Sequence, residues 1–245
     1  MRRGYKLHPL GLSLLAIVIG AGLALAGSTD PPNVIPATSG DAAGALPPQI
    51  PGGTPILYDQ VNSCGTNATS SQNFEAAYNA YDDELADDFV VTGIIWQISQ
   101  VNAGGVYFNG PGPLSSVNVR FYADAPGLPT GAPLCEFLNV VPTSGGLPSL
   151  VIDLPGTCDL NSGTYWVSVQ VNMNFNPAGQ WGWTDRTVTS NSPAAWQNPG
   201  GGFGVCPTWG ARAATCGIDP TAPDQCYSLG GLEVPVELES FSAGD

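Results

Sequence analysis

Polar and apolar residues alternate along two stretches of the chain. In Val117-Asn118-Val119-Arg120-Phe121-Tyr122-Ala123, one face carries Val117, Val119, Phe121 and Ala123. In Tyr165-Trp166-Val167-Ser168-Val169-Gln170-Val171, Tyr165, Val167, Val169 and Val171 face one way, and Trp166, Ser168 and Gln170 the other. A period of two marks a strand, and an apolar face opposite a polar one predicts an antiparallel sheet, buried on one side and wet on the other. Short β-type runs place further strands at residues 56–61, 88–91, 134–140, 150–154 and 225–229. Turn signals separate them at Gly110-Pro111-Gly112-Pro113, Pro126-Gly127-Leu128-Pro129, Ser144-Gly145-Gly146 and Asn161-Ser162-Gly163.

Only residues 73–85 carry a helical hint, through Phe74, Ala76, Ala77, Ala80 and Leu85, and the spacing is irregular. The regular alternation of strands with helices that a parallel sheet needs is missing. The pattern therefore predicts an all-β fold, an antiparallel β-sandwich of jelly-roll-like type. Beyond Phe175 the regularity fades. The stretch to Gly217 is rich in Gly, Pro, Asn and Trp, which predicts long ordered loops pinned by aromatics and a disulfide.

The chain ends change the picture at both sides of this domain. Arg2, Arg3 and Lys6, the apolar run 10–25 and Ala24-Leu25-Ala26 read as a signal peptide over residues 1–26. Residues 27–55 are rich in Pro, Gly, Ala, Ser and Thr without hydrophobic periodicity and predict a flexible linker. The sandwich domain is expected over 56–232, followed by a tail at 233–245. After the leader, no apolar run approaches the roughly 20 residues of a membrane span.

Cleavage after Ala26 removes the only histidine, His8, and the only lysine, Lys6. The mature chain then has no Ser-His-Asp or Cys-His machinery, no histidine-ligated zinc and no Schiff-base lysine. It keeps all twenty acidic residues against Arg120, Arg186 and Arg212, a formal charge of −17. Such a field excludes nucleic acid and anionic lipid surfaces as partners and favours divalent cations.

All six cysteines, Cys64, Cys135, Cys158, Cys206, Cys216 and Cys226, follow the leader. An even count in an exported chain predicts three disulfides. Fifteen pairings are open. Short loops favour Cys135–Cys158 and Cys206–Cys216, which leaves Cys64–Cys226 to join the domain's ends.

Two constellations carry candidate chemistry. Five carboxylates lie within seven residues in Asp82-Asp83-Glu84-Leu85-Ala86-Asp87-Asp88. Calcium takes six to eight oxygen ligands, so Asp82, Asp83, Asp87 and Asp88 form a candidate calcium site; the alternative is an exposed acidic turn. The second is aromatic: Trp181, Trp183 and Trp196, with Asp185, Arg186 and Gln197 around them and Phe203 and Trp209 further on. Indoles at i and i+2 of a strand share a face and form a stacking platform for sugar rings, whose hydroxyls bond to Asp, Arg and Gln. The alternative is that these tryptophans fill the core. Pro199-Gly200-Gly201-Gly202-Phe203-Gly204 lacks the lysine and helix of a phosphate loop. Asn67-Ala68-Thr69 fits the N-glycosylation pattern.

Ala86-Asp87-Asp88-Phe89, Val106-Tyr107-Phe108-Asn109, Val119-Arg120-Phe121-Tyr122-Ala123-Asp124, Gly163-Thr164-Tyr165-Trp166-Val167-Ser168-Val169-Gln170 and Trp181-Gly182-Trp183-Thr184-Asp185-Arg186 together resemble a group of secreted bacterial β-sandwich modules, as does Asn191-Ser192-Pro193-Ala194-Ala195-Trp196-Gln197-Asn198-Pro199. The matching text covers most of residues 58–229. The group is similar in general look to carbohydrate-binding modules, and the resemblance implies a location and a fold more than an activity. Residues 234–241 resemble the lead-in to a C-terminal sorting segment, with no anchor following before Asp245; release is expected. The leading expectation is thus an extracellular, non-catalytic module that binds a polysaccharide or a cell-surface partner. The alternatives are a glycan hydrolase using two of Asp82, Asp83, Asp87, Asp88, Asp185 and Asp224, or a purely structural interaction domain.

Overall fold

The structure, a computed structural model, describes residues 33–42, 54–93, 95–143 and 148–234. The leader, most of the linker, the Ser144-Gly145-Gly146 turn and residues 235–245 lie outside the described residues. In chain order the strands are β1 (Ala37–Thr38), β2 (Ile56–Asp59), β3 (Cys64–Ser70), β4 (Gln72–Asn73), β5 (Glu84–Val91), β6 (Ile95–Ala103), β7 (Gly105–Phe108), β8 (Ser116–Ala125), β9 (Leu128–Val140), β10 (Leu150–Leu160), β11 (Gly163–Asn172), β12 (Gln180–Arg186), β13 (Ala195–Gln197), β14 (Gly210–Ala211), β15 (Asp224–Gln225) and β16 (Tyr227–Val234). The helical hint at 73–85 becomes a 3-10 turn at Ala76–Tyr81, and residues from Glu84 onward are strand.

The strands form three sheets. Seven belong to one, in the order β14-β13-β5-β11-β8-β9 with β4 added beside β11. Four make β10-β6-β16-β2, and five make β1-β3-β12-β15 with β7 beside β12. All pairs are antiparallel except β4 with β11. Gly104 and Cys226 carry the chain from the four-stranded into the five-stranded sheet, and the Gly104 N–H bonds the Cys226 carbonyl at 3.1 Å. One core joins all three sheets: Phe89, Val119, Phe121, Val167 and Val169 from the seven-stranded sheet, Ile98, Ile152 and Leu229 from the four-stranded, and Trp181 and Trp183 from the five-stranded. The antiparallel β-sandwich expected from the pattern is the observed architecture.

Residues 33–42 differ from a free linker. β1 pairs with β3, and the side chains of Val34 and Ala42 are buried. The strand faces also differ in one respect. On β11 the split of alternating residues is as the sequence implies, but the second face is not wet: Trp166 and Ser168 are fully buried and Gln170 is 8% exposed. Trp166 forms a second apolar cluster with Ala86, Tyr122 and Ala195, against which Leu128 and Trp209 pack. The long segment between β12 and β15 supplies Ala195 and Trp209, so it lies over the sheet's outer face.

The cysteines pair as Cys64–Cys226, Cys135–Cys158 and Cys206–Cys216, and none is free. The second bridge ties β9 to β10, the edges of two different sheets. The first ties β3 to the Cys226 junction.

Removing a bridge frees loop entropy in the unfolded chain, more for longer loops. Paired Cys→Ser variants should each lose roughly 2 to 5 kcal/mol in denaturant unfolding. The Cys64–Cys226 pair, 162 residues apart, should cost the most and Cys206–Cys216, 10 apart, the least.

Candidate functional site

The two sequence-derived constellations are placed differently from the expectation. β12 is the central strand of the five-stranded sheet, paired with β3, β7 and β15, and all seven of its residues are buried. Trp181, Trp183 and Trp196 are fully inside, and each indole N–H is satisfied internally. Trp181 donates to the Pro148 carbonyl at 2.9 Å, Trp183 to Cys226 at 2.9 Å and Trp196 to Ser70 at 3.1 Å. Gly105 makes room for this packing, since a Cβ there would lie 2.4 Å from Trp181 Nε1. A stacking platform needs an open ring face, and these three tryptophans have none. Asp185 and Arg186 are internal as well: Asp185 pairs with Arg212 at 2.7 Å, and Arg186 with Asp224 at 3.2 Å. Of the six expected ligand residues only Gln197 reaches the surface.

The calcium expectation is corrected in the same way. Asp82, Asp83, Asp87 and Asp88 are dispersed rather than convergent, because a turn and then strand alternation aim them apart. Asp82 accepts from the Phe74 N–H at 2.8 Å and Asp83 from the Gln72 N–H at 2.6 Å. Asp87 accepts from Gln60 at 2.6 Å and from the Gln225 N–H at 2.7 Å; Asp88 accepts from the Ser192 N–H at 3.1 Å. Among the described residues no three His, Cys, Asp or Glu side chains converge to hold a metal ion. These acids cap backbone donors. Asn67, of the glycosylation pattern, has its amide engaged with Asp219 at 2.6 Å.

The outer face of the seven-stranded sheet carries a polar row in which Glu84 and Gln170 are buried, at 7% and 8% exposure, Arg120 and Gln197 are half-buried and Glu136 is exposed. Register places Gln197 opposite Glu84, Arg120 opposite Glu136, and Gln170 opposite Asn118. Glu84 Oε1 accepts from Tyr122 Oη at 2.9 Å and from Arg120 at 3.3 Å, and Oε2 accepts from Gln197 at 3.1 Å. Arg120 also donates to Gln170 at 3.1 Å and to Glu136 at 2.7 Å. Beside this row a ladder of carboxamides runs Asn73–Asn172–Asn118, with bonds of 2.8 and 3.1 Å. Half-buried Trp209 stands edge-on to Tyr122 with ring centroids 5.6 Å apart. Every polar group in the row already has a partner, so its geometry is fixed before a ligand arrives. The alternation of β11 puts Trp166, Ser168 and Gln170 on this side and the aromatic group includes Trp209, whereas Glu84 stands in an acidic run that points to calcium instead.

No protein-family model, curated protein or solved structure matches the chain.

Burial has a second effect on the acids. It holds Asp83 and Asp87 well above the ordinary carboxylate value, and it raises Asp88 to about 7, Asp185 to about 7 and Asp224 to about 6. Each of these groups binds its proton more tightly in the folded chain than in the unfolded one. The contribution of Asp88, Asp185 and Asp224 to stability is therefore complete below the unfolded value of 3.8 and is lost as the pH rises through about 6 to 7. The melting temperature should be higher at pH 4.5 than at pH 8, as a calorimetric pH series will show. Trp181→Ala or Trp183→Ala should cost about 3 to 5 kcal/mol, the loss expected for a core indole, measured by denaturant unfolding.

Proposed function

We propose that the protein is a secreted, non-catalytic binding module whose ligand is a polysaccharide, taken on the outer face of the seven-stranded sheet. The observation that carries this reading is the half-buried Trp209 beside the fixed row Gln197, Glu84, Arg120 and Gln170. Sugar rings present apolar C–H faces that pack on an indole, and their hydroxyls exchange hydrogen bonds with amides, carboxylates and guanidinium. Because the row is ordered in advance, little side-chain entropy is lost on binding. The acidic balance of the chain favours a neutral glycan over an anionic one. Three disulfides suit an oxidising, extracellular setting. No described helix is long and apolar enough to cross a membrane.

The non-catalytic part of the reading rests on Arg120. It bonds two carboxylates of the face, Glu84 at 3.3 Å and Glu136 at 2.7 Å. Glycoside hydrolysis needs one carboxyl to deliver a proton and another to attack or to activate water. A guanidinium between the two holds both in hydrogen bonds and leaves neither facing open space alone. The six aspartates of the hydrolase alternative are each engaged with backbone or arginine donors, as described above.

Trp209→Ala and Glu84→Gln should each reduce retention on a panel of polysaccharide gels at least about tenfold, the loss of roughly 1.4 kcal/mol of binding. Their melting temperatures should stay within a few degrees of the parent. Equal retention of parent and Trp209→Ala on every gel overturns the assignment to this face.

A further inference from the structure

Residues 33–42 lie along the edge of the five-stranded sheet and are held there largely through their backbone. Ala37 stands opposite Thr69 and Thr38 opposite Ala68 on β3. On either side of this short ladder β3 keeps hold of the segment. The Ser70 N–H donates to the Pro36 carbonyl at 2.9 Å, and the Thr66 carbonyl accepts from the Ala42 N–H at 3.0 Å. Three side-chain carboxamides complete the grip. Gln180 takes both groups of one residue, accepting from the Ile35 N–H at 3.0 Å and donating to the Ile35 carbonyl at 2.8 Å. Asn109 donates to the Asn33 carbonyl at 3.0 Å and to Gln180 Oε1 at 2.9 Å, which fixes the orientation of that amide. Asn67 accepts from the Gly40 N–H at 3.2 Å.

The sheet is built to have an occupant here. Gln180 belongs to the central strand β12 and is fully buried, so its amide needs partners from the protein itself. Ala68, Val106 and Phe108 form an apolar cluster that Ala42 closes and Ile35 packs against. With residues 33–42 withdrawn, β3 becomes an open edge beside that cluster, and an open edge recruits strands. The segment is not one arm of a hairpin, because β2, which follows it in the chain, belongs to the four-stranded sheet. Residues 43–53 join it to the rest of the domain, a length that spans at most about 40 Å. Its own demands are few: Val34 and Ala42 are buried, and its one charge, Asp41, is exposed and bonded to Thr38.

We propose that the β3 edge, with Gln180, Asn109 and Asn67, is an acceptor site for an extended strand, and that its partner is residues 33–42 of a second copy of this chain, exchanged reciprocally. Two copies that trade segments keep every hydrogen bond and apolar contact just described, so the exchange sacrifices none of them. An unrelated peptide has to displace a tethered resident whose effective concentration is of millimolar order. A second copy escapes that competition, because each segment that leaves one groove fills the other. With a single acid, the segment also enters the groove of an acidic chain, of formal charge −14, without concentrated repulsion. A pair joined in this way presents two outer faces; the effect on retention by a polymer rests on the glycan reading above, whereas the exchange does not.

The test contains no glycan, so the two ideas fail separately. Mature protein in unlabelled and 15N-labelled form is mixed at about millimolar concentration, the range of the tether's own effective concentration, and the products are weighed by native mass spectrometry. Mixed dimers should form, and their share should rise with the concentration of the mixture. Ala42→Glu, which forces a charge against Ala68, should cut that share at least about tenfold. Val34→Ser loosens the same segment more gently and should lower the share as well. The groove of Ala42→Glu, freed of its resident, should capture a fluorescent peptide of residues 33–42 at least about tenfold more tightly than the parent chain does, read by anisotropy. The same peptide methylated on the Ile35 nitrogen cannot donate to Gln180 and should not be captured. Absence of mixed dimers, an unchanged share in both variants, or failure of Ala42→Glu to prefer the unmethylated peptide overturns the proposal.

Discussion

Five fully buried aspartates against two buried arginines set the conditions under which this fold can exist. Among the described residues, Asp83, Asp87, Asp88, Asp185 and Asp224 are fully buried, and only Arg186 and Arg212 accompany them inside as buried cations. A carboxylate taken from water without donors is too costly to keep. Four of these acids therefore dictate a backbone position: the Gln72 N–H faces Asp83, the Gln225 N–H faces Asp87, the Ser192 N–H faces Asp88 and the Ser190 N–H faces Asp224, while Asp185 is held by the side chains of Thr69 and Arg212. The chain between β12 and β15 is long and has little regular structure, and two of its amides, Ser190 and Ser192, are bound by Asp224 and Asp88. The acids beneath it specify where its amides must lie.

That placement decides which surface remains for recognition. By covering Asp88, Ala86 and Ser168, the segment closes half of the seven-stranded sheet's outer face and leaves the row from Gln197 to Glu136 beside it. Trp209 is half-buried and packs edge-on against Tyr122.

Much of the framework was legible in the sequence, and the parts that were not have identifiable causes. The alternation around Val119 and Val167 gave correct strand faces, because both runs are continuous and pair without interruption across residues 116–123 and 165–172. β6 was missed although it holds Trp96, Ile98, Val101 and Ala103. A register shift between Ile98 and Gln100 changes the phase of its apolar residues, so no single alternation describes it. β3 reads Cys-Gly-Thr-Asn-Ala-Thr-Ser and has almost no apolar signal, since Thr69 serves Asp185 and Arg212 rather than a hydrophobic face. Loop length pointed to two of the cysteine pairs, and elimination left the third. The binding platform was not legible, because Trp-x-Trp has the same period on an exposed strand and on a fully enclosed one. Only the three neighbours of β12 distinguish them.

The distribution of cationic residues has a consequence outside recognition. Beyond the leader the chain offers a protease of trypsin-like specificity three positions: Arg120, Arg186 and Arg212. Arg120 lies within β8, hydrogen-bonded to strands on both sides. Arg186 ends β12 with its guanidinium held by Asn62, Val188, Ser190 and Asp224. Arg212 follows β14 and points into the interior toward Asp185. A protease of this class must draw an extended, accessible segment into its cleft, and none of the three can be presented without first taking apart a sheet or the buried charge network. The sequence and the fold together make the domain durable wherever such enzymes are abundant.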